Sequence, residues 1–169
     1  MTVWMVRAGE TGQRADLAFA HKVTTLNWWE VGDISDAPSR EELKKRLHEG
    51  RKRGGASAIS DATATNWAGQ LWAFVHDMAV GDLIVMSLRS GEAYAIGRVT
   101  GPYAYRPDLN ENARHTRAVD WVQEEILRDE LGEDLRRTLG GQLTVFRPAK
   151  YAAQERLEAL AKGRPDPGI

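Results

Sequence analysis

Apolar and polar positions alternate from Thr2 to Ala8, with Val3, Trp4 and Val6 in the run, and the pattern breaks at Gly9; a strand is predicted to open the chain. Ala15 to Ala20 reads as a short helix, and His21 to Trp28 as a second strand that runs into the turn residues of Trp28-Trp29-Glu30-Val31-Gly32-Asp33. Ser39 followed by Glu42 has capping-box spacing and predicts a helix over Arg40 to Glu49, with Gly54-Gly55 ending its basic extension. The strongest helical period spans Ala62 to Met78, where Trp67, Leu71, Phe74, Val75 and Met78 fall in one stripe about 100° wide. Past Gly81-Asp82, the apolar runs Leu83 to Arg89 and Ala93 to Thr100 are joined by Ser90-Gly91-Glu92 and predict a hairpin.

The remaining pattern is a strand over Thr116 to Gln123, preceded by an exposed loop over Arg106 to Arg114. A short helical insert over Arg128 to Leu139, a return to the sheet at Thr144 to Arg147, and a last helix over Lys150 to Lys162 complete it. Interleaved strands and helices around a central hairpin predict an α+β fold, with a mixed or antiparallel curved sheet closing into a small barrel flanked by helices. A length of 169 residues suits one domain, assigned to residues 1–162, with Arg164-Pro165-Asp166-Pro167-Gly168 reading as a linker.

Cysteine is absent, which removes thiolate nucleophiles, Cys-ligated zinc and iron–sulfur clusters. His21, His48, His76 and His115 have no metal-ligand spacing and read as surface or cap residues, so no metal and no cofactor is expected. There is no phosphate loop, no nucleophile elbow, and no acidic-x-Lys triplet downstream of Pro107-Asp108, so the chain is expected to bind rather than catalyse. No apolar stretch approaches membrane-spanning length and the N-terminus lacks signal-peptide character; the cytoplasm is the expected location, with no membrane partner.

Six tryptophans stand out: Trp4, Trp28, Trp29, Trp67, Trp72 and Trp121. Trp4 and Trp121 are expected in the core. Trp28 and Trp29 are adjacent and extended, so both cannot face the same core. Trp72 lies off the stripe led by Trp67, and Asn66 and Gln70 offer amides on that helix at i,i+4 spacing, serving either as surface and capping groups or as base-edge readers. Aromatic faces with a few amides can hold a flat heterocycle. The net charge of −1 excludes a wholly electrostatic nucleic-acid binder, yet Ser39 to Gly54 carries seven Lys or Arg against three Glu, including Lys44, Lys45, Arg51, Lys52 and Arg53. A second basic group, Arg98, Arg106, Arg114 and Arg117, interleaves with Tyr103 and Tyr105.

The succession Val3-Trp4-Met5-Val6-Arg7-Ala8-Gly9, Asn27 to Asp33, Val80-Gly81-Asp82-Leu83-Ile84-Val85 and Ala95-Ile96-Gly97-Arg98-Val99 resembles the EVE domains of the PUA-like superfamily. The stretches Asn66 to Trp72, Tyr94 to Gly97 and Gly101-Pro102-Tyr103 are similar to EVE-like domains at the N-terminus of Mrr-type, modification-dependent restriction proteins. The resemblance covers about Thr2 to Trp121. It implies a PUA-like barrel that takes a modified nucleobase flipped out of DNA into an aromatic cage, with the tail leading to a nuclease domain in a longer chain. The pocket it implies lies between Arg7 and Gly9, the Trp29 to Ser35 segment, and Ser87 and Leu88. Trp29 would stack, Trp67 or Trp72 would form a second wall, and Asp33 or Asn66 would read the base edge. A reader of modified single-stranded RNA, or a protein-interaction module presenting its tryptophans, remain the alternatives.

Overall fold

A computed structural model describes residues 1–169. Its elements in chain order are β1 (Val3–Val6), α1 (Ala15–His21), β2 (Val23–Leu26), α2 (Arg40–Arg53), α3 (Asp61–Trp72), β3 (Leu83–Leu88), β4 (Ala93–Tyr105), β5 (His115–Leu127), α4 (Glu133–Leu139), β6 (Val145–Phe146) and α5 (Ala153–Ala161). The strands form one mixed sheet in the order β2-β5-β4-β3-β1-β6, in which β1 and β3 are parallel and every other pair antiparallel.

The predicted barrel is corrected to an open sheet. Its edge strands, four residues in β2 and two in β6, share no ladder, so the sheet does not close on itself. Register shifts between β4 and β5 at Tyr94/Ile96 and Val99/Tyr103 bend this long hairpin instead. Both strands run further than the apolar pattern predicts: the end of β4, Tyr103 to Tyr105, pairs with the start of β5, and the end of β5, Ile126 and Leu127, pairs with the start of β4.

Period two in the strands divides the core. Trp4, Val6 and Ile84 face a cluster completed by Leu43 and Leu47 of α2, by Ala68 and Leu71 of α3, and by Leu26, Ile34 and Phe74. Val3, Met5, Leu83 and Val85 face the opposite way, onto Leu135 and Leu139 of α4 and Leu157 and Leu160 of α5. A smaller cluster under α1 takes Ala8, Ala15, Ala18, Met86 and Leu88.

The capping signals hold. Ser39 Oγ accepts from the Glu42 amide at 3.1 Å, and Ser60 Oγ caps α3 through the Thr63 amide at 3.1 Å. The long middle helix is α3 followed by a π-type segment, Ala73–Asp77, and the buried Arg117 donates to the carbonyls of Phe74 and Met78 at its end. Asp82 ties the sheet together. Its carboxylate accepts from the Thr2 amide, Trp4 Nε1 and the Ala79 amide, which makes the Gly-Asp turn a clamp between the starts of β1 and β3.

The segment expected to be a linker packs back onto the domain. Asp166 accepts from Arg156 through both oxygens at 2.7 Å and from the Gly132 amide at 2.8 Å, so the segment is fastened to α5 and to the start of α4. No helix is long and apolar enough to cross a membrane.

Candidate nucleobase site

Two clefts meet at the C-terminal end of β1, where Arg7, Gly9 and Glu10 belong to both. The first, of about 540 Å³, is lined by Trp28, Trp29, Glu30, Asn27 and Trp67, with Gln13, Arg14, Gln142 and Thr144 completing it. That volume falls within the range of small-ligand pockets, roughly 300–1,000 Å³. The second, of about 400 Å³, gathers Arg7, Arg128, Arg136 and Arg137 against Glu10 and Glu133, with Ser87, Ser90 and Tyr94 at its floor and wall.

Trp28 and Trp29 are not extended as expected: β2 ends at Leu26 and Trp29 opens a 3-10 turn over Trp29–Val31, so both indoles line the same cleft. Trp28 is 9% exposed and packs at 6.1 Å between ring centroids from Trp67, while Trp29 is 38% exposed. The turn that separates them is held from below. His115 Nε2 donates to the Trp28 carbonyl at 2.9 Å, its Nδ1 accepts from the Tyr103 hydroxyl at 2.7 Å, and the Ile34 amide donates to that hydroxyl oxygen. Desolvation holds His115 below its ordinary pKa and pushes the Tyr103 hydroxyl up, so His115 is a buried neutral strut and not the surface residue expected from sequence.

From the other side, α2 fixes the same turn. Gly50 lies against the Glu30 carbonyl so closely that a Cβ there would sit 1.8 Å from the oxygen, and a Cβ on Gly54 would sit 2.6 Å from the Trp29 ring. The Glu30 side chain is 4% exposed; Oε1 accepts from Arg51 at 2.8 Å, and Oε2 has no hydrogen-bond partner within the protein. The same Arg51 guanidinium lies 5.7 Å from the Trp67 ring centroid, so one cation braces both the acid and the indole. Arg14 brings another polar atom without a partner, Nε, and burial pulls its guanidinium below its ordinary value.

Of the residues singled out in the sequence, Arg7, Gly9, Trp29 and Trp67 come together in the aromatic cleft, and Ser87 lines the arginine cleft. The others lie elsewhere. Trp72 stacks on His76 at 3.9 Å beneath Arg40 and does not form a second wall. Gln70 is buried, accepts from the Thr144 and Val145 amides at 2.9 Å each and donates to Asn66; the pair anchors β6, and neither residue lines either cleft. Asp33 closes an exposed turn by accepting from the Ser35 amide, and neither residue lines a cleft. Leu88 is buried under α1.

The basic patches are likewise redistributed. On α2, Lys44 pairs with Asp61, Arg46 with Asp36 and Glu42, Arg40 with Asp77 and Arg51 with Glu30, leaving Lys45, Lys52 and Arg53 as its uncompensated cations. Around Tyr103 and Tyr105, Arg98 donates to the Gly81 carbonyl, Arg114 to the Leu109 carbonyl and Arg117 to the Gly101 carbonyl, while Arg106 pairs with Asp108. Tyr105 packs edge-on to His115. That group is consumed by backbone caps and a local ion pair.

Sequence reasoning missed Glu30, Arg14, Arg128, Arg136 and Arg137. Glu30 adjoins the Trp-Trp segment and Arg128, Arg136 and Arg137 lie in the insert after β5, whereas Arg14, just before α1, carries no such signal.

No curated protein and no solved structure matches the chain. Residues 4–140 match the model of a family described as a domain of unknown function, DUF8426, and the chain belongs to that family.

Proposed function

We propose that this domain is a sensor of modified DNA, which takes a flipped nucleobase into the aromatic cleft and holds the flanking backbone in the arginine-lined one. The observation that carries this reading is a cleft of about 540 Å³ walled by three indoles and joined, through Arg7 and Gly9, to a second cleft bearing four arginines. Stacking on an aromatic wall contributes about 1–3 kcal/mol per base, and unpairing costs a few kcal/mol, so the base alone nearly breaks even. Phosphate contacts supply the remainder. Arg128 suits that task, with Arg136 and Arg137 sharing their charge with Asp129 and Glu133 beside it, together with Lys52 and Arg53 at the end of α2 that meets Trp29. The succession of motifs like those of EVE-like domains supports the same reading, with the domain serving, in the cytoplasm, a modification-dependent restriction system whose nuclease lies in a longer chain.

The test is fluorescence anisotropy on a panel of duplexes that differ in one modified base, with matched single-stranded RNA as the rival ligand. The expected result is preference for one modification and an affinity that falls steeply with salt while the preference holds. Trp29→Ala should cost about tenfold or more in that preference. An unaltered preference in the variant removes Trp29 from the site; equal binding to all duplexes, or tighter binding to RNA, overturns the DNA-sensor reading.

A further inference from the structure

The geometry points to the arginine cleft as a site for one phosphate monoester group, seated on two hydroxyls at its floor and flanked by guanidinium groups. This goes beyond the DNA reading and does not depend on it, since the site needs no base in the aromatic cleft. The floor follows from the sheet register. Ser87 of β3 lies opposite Tyr94 of β4, on the face that carries Val85 and Ile96, and directly opposed residues of an antiparallel pair hold their Cβ atoms about 4.5–5.5 Å apart. The apolar layer beneath α4 therefore ends in a pair of hydroxyls. Both lie around one point, for a Cβ on Gly91 would be 3.8 Å from Tyr94 Oη and 4.0 Å from Ser87 Oγ. Tyr94 is 6% exposed, yet its hydroxyl makes no hydrogen bond within the protein and is not closed to solvent; the Ser87 hydroxyl is likewise open and unpartnered, and both residues line the cleft.

The cations come from three other segments. Arg7 follows β1, Arg128 follows β5, and Arg136 and Arg137 belong to α4. Arg137 is shared with Glu133 and Arg136 with Asp129, and Arg7 donates to the Gly141 carbonyl, whereas Arg128 has no side-chain partner within the protein. Four arginines against Glu10 and Glu133 leave the cleft at a formal +2, which a doubly charged monoester neutralises and a singly charged backbone diester does not. Burial raises the Tyr94 hydroxyl above its ordinary pKa, with Arg128 and Arg136 pulling the other way, so the hydroxyl keeps its proton at neutral pH and can donate. Hydroxyl donors beside guanidinium forks suit the oxygens of a phosphate, which only accept. The loop after β1 supplies the rim: Gly12, at φ +83°, lies so close over β3 that a Cβ would sit 3.2 Å from the Ser87 carbonyl oxygen.

The test is isothermal titration of the whole chain with inorganic phosphate, a nucleoside 5′-monophosphate and the unphosphorylated nucleoside, together with anisotropy on unmodified duplexes that carry either a 5′-phosphate or a 5′-hydroxyl. Phosphate and the monophosphate should bind and the nucleoside should not, while Tyr94→Phe and Ser87→Ala should each weaken binding by about tenfold. Arg128→Ala should weaken it further. The two hydroxyl variants leave the net charge alone, so a diffuse electrostatic attraction would not register them. Melting curves establish that each variant is folded. Tighter binding of the mononucleotide or of the 5′-phosphorylated duplex names the source of the monoester, and either supports the site. A nucleoside that binds as tightly as its monophosphate, or phosphate binding untouched by both hydroxyl variants, overturns it. Preference for one modified duplex with no binding of phosphate leaves the sensor reading standing and removes the monoester site; phosphate binding without such a preference does the reverse.

Discussion

Two buried ion pairs, one on each face of the sheet, use the same chemistry to different ends. Arg156, with a side chain 2% exposed among Leu157, Leu160 and Ala153, donates to Asp166, Asp134 and the Tyr151 carbonyl, and Asp166 also accepts from the Gly132 amide. Every strong group in that set has a partner. Glu30 is as deeply buried against Arg51, yet its Oε2 is sealed from solvent with no hydrogen-bond partner. A complete buried network specifies the fold and fastens the tail, whereas an incomplete one carries an unmet acceptor as a standing cost.

The largest effect should come from breaking the complete pair. Asp166→Ala leaves the Arg156 guanidinium buried with Asp134 as its remaining acid, and should cost about 3–5 kcal/mol in urea denaturation, or roughly 10 °C in melting temperature. Ligand binding below the transition should be unchanged. A small loss would mean that the two networks do not differ in kind.

Acid separates the two regions next. Unfolded, His115 would titrate near its ordinary 6.5, and burial lowers it in the folded domain; stability on the aromatic side is therefore complete above that value and declines as the pH falls below it. Asp166 is held down to about 2 by its hydrogen bonds to Arg156, against an ordinary 3.8, so its contribution persists to near pH 4 and is lost only between there and about 2. Denaturation at stepped pH, read by tryptophan emission, should show an upper limb removed by His115→Gln and a lower limb, worth about 2–3 kcal/mol, removed by Asp166→Ala.

Much of this comparison was hidden in the sequence, for definable reasons. The first strand, the Ser39 cap and the hairpin follow from short-range rules of period and turn chemistry, and the structure has them; Trp28 and Trp29, read as extended, instead share one cleft because Trp29 opens a 3-10 turn. Barrel closure depends on how far the edge strands extend, and although the return to the sheet at Thr144 to Arg147 is legible, nothing in its pattern says that β6 stops after two residues. The charge on α2 was legible as a count but not as a field, because Asp36, Asp61, Asp77 and Glu30 converge on it from other segments. Arg156 could have been noticed, since it lies on the same helical stripe as Ala153, Leu157 and Leu160. Glu30 could not: its burial is a product of Gly50 and the packing of α2, several turns away in the chain.

A smaller effect tests the incomplete pair directly. Glu30→Gln keeps one hydrogen bond to Arg51 and removes a buried charge with an unmet oxygen, so stability should change by about 1 kcal/mol or less in either direction. A loss approaching that of Asp166→Ala would make Glu30 part of the fold in the same sense, and would remove the contrast between the two faces.

The smallest effect should come from Gly54→Ala. Gly54 has φ −80°, a conformation alanine adopts freely, so the backbone gives no reason for glycine there. The reason is the Trp29 ring: the added methyl would sit 2.6 Å from its Cη2 and Cζ3 atoms, and the ring, at an exposed rim rather than in a packed core, has room to swing aside. The domain should therefore melt within a few degrees of the wild type, while the stacking wall moves. Affinity for the preferred duplex should fall by a factor of about three to ten, corresponding to roughly 1 kcal/mol, with altered tryptophan emission marking the displaced indole. Unchanged affinity alongside a large loss in Trp29→Ala would show that Trp29 stacks without being positioned by α2, so that the helix contributes cations to the rim and nothing to the wall.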